Sequence, residues 1–197
     1  MTHIIFDDNK ILKLAQNPKG LTKEAIPALI EEVILRKLDA NLIGWIQLEN
    51  NPLNQIEKDS IFSHIKNCKC SICKTNSDLK AYEFHSVISG VIFCDDTLQH
   101  LIICEKCNKK IRWKNFFNTI LLGWWSRKGF IATITALLTE FFNLFLVKRI
   151  NDRILNTLIE ENNGTFRKIL SSENPKQQIQ NFIENNNVRN LNKNEYE

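Results

Sequence analysis

The chain lacks the motifs that most often announce chemistry. It has no His-Glu-x-x-His, no Gly-x-Ser-x-Gly, no phosphate-binding Gly-x-x-x-x-Gly-Lys and no Gly-x-Gly-x-x-Gly. That removes the helix-borne zinc protease, the nucleophile elbow, the P-loop and the dinucleotide fingerprint. The zinc deaminase pattern is missing too: Glu83-Phe84-His85 runs in the reverse order, and neither Cys-x-x-Cys follows a proline. The opening MTHIIFDDNK has no basic region, no long apolar run and no small-residue cleavage site, and so predicts no secretory signal. Glu140 and other polar residues interrupt the most apolar stretch, residues 116–147, where a spanning helix would be apolar all round for about 20 residues.

The 197 residues suffice for one ordinary domain, or a small zinc module plus a helical part, and 43% apolar with 24% charged residues argues against wholesale disorder. The net charge of +4 does not by itself imply a nucleic-acid partner. The charge is concentrated, however. Lys106, Lys109, Lys110, Arg112, Lys114, Arg127 and Lys128 face one anion, Glu105, so residues 105–128 carry +6 and the remainder −2.

The six cysteines, at 68, 70, 73, 94, 104 and 107, fall within about 40 residues, and a tight cluster in a cytoplasmic chain favours metal over disulfides. Cys70-Ser-Ile-Cys73 and Cys104-Glu-Lys-Cys107 are two knuckles, each able to turn two thiolates toward one point; together they predict a tetrahedral four-cysteine site for one structural Zn²⁺. The 30 residues between them leave room for two or three strands. Buried free thiols and a redox dithiol are the alternatives, the latter needing a thioredoxin-like βαβ context. Cys68 could replace Cys70 as a ligand, Cys94 reads as a small core residue, and His64, His85 and His100 are weaker candidate ligands.

Helical periodicity dominates residues 1–66, with Asn17-Pro18-Lys19-Gly20 and Asn50-Asn51-Pro52 as breaks. Ile26, Leu29, Ile30, Val33, Ile34 and Leu38 form one apolar stripe after the N-cap candidate Thr22. Residues 67–115 read as a β-rich zinc ribbon. Its strand signals are Tyr82, Phe84, Val87-Ile88, Val91-Ile92-Phe93 and Leu101-Ile102-Ile103, with Asp95-Asp96 as the expected turn. Residues 116–160 form an amphipathic aromatic helical region. Residues 161–197 are a polar tail, with a candidate helix at 175–184 and a disordered last dozen residues. The class predicted is α+β: a helical N-terminal part, a small β-rich ribbon and C-terminal amphipathic helices.

Phe130, Ile131, Ile134, Leu137, Leu138, Phe141, Leu144 and Phe145 share one helical arc, with Thr133, Thr135, Thr139, Glu140 and Asn143 mostly off it. The leading expectation is that this arc is core, packed on the N-terminal helices. The others are an interfacial helix, with Trp124 and Trp125 at headgroup level and the cations facing anionic lipid, and a homo-oligomer or partner surface. Nucleic acid is less favoured, because the aromatics fall on a stripe read as buried.

Asn17-Pro18, Leu21-Thr22, Glu24-Ala25-Ile26, Leu29, Glu32, Arg36 and Leu38 precede the two knuckles, and Gly123-Trp124-Trp125 and Gly129 follow them. In this order the chain resembles, over roughly residues 10–145, a Bacteroidetes-type group of zinc-ribbon proteins with a helical leader and a C-terminal GWW helix. Ser126 stands where that group often has another glycine. The resemblance implies architecture and carries over no activity.

The function expected from the sequence is a non-catalytic zinc-ribbon scaffold presenting a surface to another protein or to itself. The alternative is a peripheral adaptor at an anionic membrane, using residues 109–147, with Lys109, Lys110, Trp124, Trp125, Arg127 and Lys128 on the contact surface. A zinc-dependent enzyme comes third. No small-molecule substrate is evident, and the expected place is the cytoplasm or the inner membrane face.

Overall fold

The computed structural model describes residues 6–90 and 93–192. The chain is α+β, with helices before and after a two-stranded antiparallel sheet. Its elements are α1 (Asp8–Gln16), α2 (Ala25–Leu35), α3 (Asn41–Asn50), α4 (Gln55–Lys66), β1 (Leu79–Ser89), β2 (Cys94–Cys104), α5 (Glu105–Leu122), α6 (Arg127–Phe145), α7 (Val147–Glu160), α8 (Asn163–Leu170) and α9 (Pro175–Asn192). Two compact units share the chain, one from residues 1–61 and 157–175, the other from 62–156 and 176–197.

The first unit buries Ile11, Ala15, Leu29, Val33 and Ile46, with Leu14, Leu21, Ile26, Ile30 and Leu38 packed around them. Asp7 caps α1 through its carboxylate, which accepts from the Lys10 N–H at 2.9 Å. α2 closes with Lys37 in the left-handed region (φ 53°), the Leu38 N–H reaching back to the Val33 carbonyl and the Lys37 N–H to Ile34, a Schellman end built on lysine instead of glycine. The Glu49 carboxylate accepts from the Gly164 and Thr165 N–H groups at 2.7 and 3.2 Å, holding an anion at the start of α8. A side chain at position 164 would collide with Glu49, so glycine is required there.

The second unit is built on the hairpin. β1 and β2 pair from Leu79 opposite Cys104 to Ser89 opposite Cys94, and the turn is closed by the Gly90 N–H on the Phe93 carbonyl at 2.8 Å. The expected turn at Asp95-Asp96 is therefore corrected: both aspartates lie in β2, paired with Ile88 and Val87, and the chain reverses between Ser89 and Cys94. Of the strand signal at 91–93, residues 91 and 92 lie outside the described residues, and Phe93 falls outside β2. The polar neighbours of Tyr82 and Phe84 do not mark a solvent-facing side: β1 is buried at 81–84 without a break, Glu83 included.

A two-stranded sheet has two edges, and buried edge groups need hydrogen-bond partners. Side chains supply them here. On β1 the Ala81 N–H donates to Asn151 Oδ1 (2.8 Å), the His85 N–H to Glu140 Oε1 (2.7 Å) and the Val87 N–H to Thr119 Oγ1 (3.1 Å). On β2 the Asn187 amide takes both groups of Ile102, accepting from its N–H at 2.9 Å and donating to its carbonyl at 2.8 Å, and Asn190 donates to the His100 carbonyl. Asn187 and Asn190 belong to α9. The candidate helix at 175–184 is present and runs on through Asn192, with Ile179, Ile183 and Asn187 buried, so the expected disorder of the last dozen residues is corrected as far as Asn192; residues 193–197 lie outside the described residues.

Replacing Asn187 by Ala leaves the buried N–H and C=O of Ile102 without their partner. We expect a loss of about 2–4 kcal/mol in urea unfolding. A disordered tail would give no change.

Candidate metal centre

Cys70 and Cys73 sit on a tight knuckle just before β1. The Cys70 N–H donates to the Thr75 carbonyl at 3.0 Å, and the Cys70 carbonyl accepts from the Lys74 N–H at 2.8 Å. Lys69 and Asn76 close an isolated bridge below. Lys74 occupies the left-handed region (φ 57°), the sharp bend that turns both sulfurs to one side. α9 holds this loop from outside: Gln180 makes two bonds to the Lys69 backbone, and Glu184 pairs with Lys74 at 2.9 Å.

The second pair is built differently. A knuckle on a hairpin was expected, but Cys104 ends β2 and caps α5, and Cys107 lies in the first turn of that helix. Residues three apart are neighbours on a helix, so Cys-x-x-Cys serves this geometry equally well. Thiolates here also face the positive end of the helix dipole. Helix α5 accordingly begins at Glu105, about ten residues ahead of the region read as helical from sequence.

The structure brings Cys70, Cys73, Cys104 and Cys107 together, with every sulfur within 4.8 Å of the others and Cys73 Sγ 3.6 Å from Cys104 Sγ. Four thiolates around one tetrahedral ion at a metal–sulfur distance of about 2.3 Å would stand roughly 3.8 Å apart. The group could hold one metal ion. The Thr75 hydroxyl and then the Thr75 N–H hold the Cys73 thiol down to about 6, while burial and the crowding of the other three thiols push Cys107 up. Four thiols this close cannot all ionise without a cation among them.

Cys68 stands apart from the cluster. It is buried and donates to the His64 carbonyl at 3.3 Å, and burial raises its thiol, so it stays protonated. Cys94 is half-buried at the start of β2. His85 pairs with Asp96, and His100 with Glu83 at 3.1 Å, neither at the cluster. Glu83 also meets Arg153 at 2.6 Å and Asn143 at 3.4 Å, and its carboxyl is held below the usual range, chiefly by the His100 bond.

The expectation that the aromatic arc is core is overturned. The buried residues of α6 are Gly129, Thr133, Ala136, Glu140 and Asn143. Phe130, Ile131, Ile134, Leu138, Phe141, Leu144 and Phe145 are exposed, from 41% to 73%. Glu140 faces inward because it takes the His85 N–H and pairs with Arg112 of α5. Gly129 packs so closely on Ser89 and the Gly123 carbonyl that a Cβ there would collide with both. Trp124 and Trp125 are exposed beside Arg127 and Lys128, and Lys109 and Lys110 are exposed on α5. Among the described residues, sixteen of the twenty-five exposed large hydrophobic side chains lie between Trp113 and Leu146, a patch and not a scatter. α6 is also long and apolar enough to cross a membrane.

No protein-family model, curated protein or solved structure matches the chain.

One metal ion per chain is expected by elemental analysis of protein purified without chelator. Cys73→Ser or Cys107→Ser should release it and unfold the hairpin end of the second unit, since binding and folding are coupled there. Cys68→Ser and Cys94→Ser should retain it; loss of metal from either would displace the assignment.

Proposed function

We propose that this chain is a non-catalytic, zinc-stabilised adaptor that docks on an anionic membrane surface at the cytoplasmic face through α5 and α6. The observation that carries this is the inverted α6: Glu140 and Asn143 turn inward to bond His85 and Glu83 of β1, and the apolar arc faces out.

Two features favour lipid over a protein partner. The polar groups on this surface are satisfied within the chain: Thr135 Oγ1 donates to the Ile131 carbonyl at 3.0 Å, and the indole N–H groups of Trp124 and Trp125 donate to Ile120 and Leu121 at 2.6 and 3.4 Å. A lipid environment demands that, whereas a protein interface uses about one cross-bond per 100–200 Å². The second feature is charge. From Lys106 to Asn151 the sole anion is Glu140, buried against Arg112, while Lys106, Lys110, Lys114, Arg127, Lys128, Lys148 and Arg149 are exposed along the same stretch of chain. Such a face, flanked by cations and Trp, suits a helix lying in the headgroup layer. Glu140 and Asn143, held against β1 on the covered face of α6, favour lying on the membrane over crossing it. Nucleic acid fits less well, because the exposed side of residues 130–146 has no cation.

For the metal, four thiolates and a closed shell suit structural zinc and leave no open position for catalysis. A colourless protein with zinc in the elemental analysis fits this reading, and iron does not.

The protein should float with vesicles containing phosphatidylserine and detach as salt rises, since exposed charges are screened over about 10 Å at 0.1 M. Changing Lys109, Lys110, Arg127 and Lys128 to Ala should weaken binding by on the order of 1 kcal/mol for each cation. Phe141→Asp should abolish flotation at little cost in stability, and Phe141→Ala should destabilise by under about 1 kcal/mol, against the roughly 2–5 kcal/mol of a core phenylalanine. A stable dimer that ignores vesicles, and that Phe141→Asp splits, would favour self-association instead.

A further inference from the structure

Between α5 and α6 lies a cavity of about 430 Å³, within the size range of small-ligand sites. Trp113 and Phe116 of α5 and Leu137, Phe141 and Leu144 of α6 form its walls. The helices run antiparallel, so Lys109 and Leu144 mark one end and Phe116 and Leu137 the other. Each side spans eight residues, about 10 Å of helix from first to last. Trp113, Phe141 and Leu144 are exposed, so the slot opens on the apolar face.

Its polar groups are unevenly placed. Arg112 and Glu140 also line the slot, and they pair with each other, so they present no net charge. Lys109 is free to act at its end. Its contact is with Glu105 at 2.8 Å, an exposed pair one helical turn away that holds it weakly. Lys106 and Lys110 stand exposed within one turn. The slot is thus apolar along its walls, neutral where Arg112 and Glu140 meet, and cationic at one end only.

We propose that this slot binds one single-chain anionic amphiphile, a long-chain fatty carboxylate, with the chain between α5 and α6 and the carboxylate beside Lys109. A single chain is favoured because two facing helix flanks wall one narrow channel; a two-chain lipid would leave its second chain outside. The carboxylate belongs at the Lys109 end because the other polar point already holds a carboxylate, that of Glu140. This site lies on the proposed membrane face but does not need a membrane to fill it.

The test uses the full-length, metal-loaded protein and monomeric dodecanoate, followed by titration calorimetry without vesicles. Saturable binding of one dodecanoate per chain is expected, with dodecanol at least roughly tenfold weaker for want of the charge-assisted contact. Lys109→Glu should weaken dodecanoate by roughly tenfold or more. Leu144→Trp, at an exposed position that should not disturb folding, should block the slot. Absence of saturable binding, equal affinity for dodecanol, or unchanged binding by Leu144→Trp would each overturn the proposal. Flotation without dodecanoate binding would remove the slot and leave the membrane reading standing; dodecanoate binding without flotation would do the reverse.

Discussion

A hairpin with no third strand must find hydrogen bonds for two exposed rows of backbone, and the second unit is arranged around that requirement. Three helices lend polar side chains to β1 through Asn151, Glu140 and Thr119, and α9 lends Asn187 and Asn190 to β2. Every buried group left unpaired would cost about 1–3 kcal/mol, enough to decide which face of a helix turns inward. Hydrophobic burial would place Phe141 and Leu138 inside. The hairpin edge calls for Glu140, and Arg112 then neutralises the charge that Glu140 brings with it.

The same requirement links the metal cluster to the rest. Two of its cysteines precede β1, one ends β2 and one begins α5, so a single ion would tie the knuckle, the open end of the hairpin and the helix start at one point. α9 braces the knuckle from outside through Gln180 and Glu184 while it covers the β2 edge. The cluster and the edge bonds therefore stabilise the same small region from opposite sides, and the apolar surface of α5 and α6 is presented by a support held at both.

Much of this could be read from the sequence where local chemistry is decisive. The break at Asn17–Gly20, the stripe of α2 apart from Ile34, which is exposed, and the grouping of Cys70, Cys73, Cys104 and Cys107 follow from turn residues, periodicity and spacing. What could not be read depends on partners distant in the chain. An amphipathic pattern gives the faces of α6 but not which one is covered, because the usual rule assumes an apolar surface waiting to receive it. Nothing local marks Asn187 as a partner for Ile102, 85 residues earlier. An Asn-rich stretch reads as solvated for the very reason it serves here, since its amides can replace a neighbouring strand. The second cysteine pair was misplaced because its spacing fits a hairpin knuckle and a helix start equally.

The position of α9 in the chain also sets an order of events on the ribosome. The knuckle, the hairpin and the first turn of α5 are complete once the residues just past Cys107 have emerged, so the thiols can gather a metal ion early. The β2 edge then stays uncovered until Asn187 follows, after roughly 4–16 s at ordinary elongation rates. During that interval the nascent chain displays an unpaired strand beside the apolar flank of α5 and α6, a combination that invites pairing with other chains. Newly made protein thus displays its most adhesive surface until α9 closes the β2 edge, so slow translation of the residues between Cys107 and Asn187 would prolong the exposure.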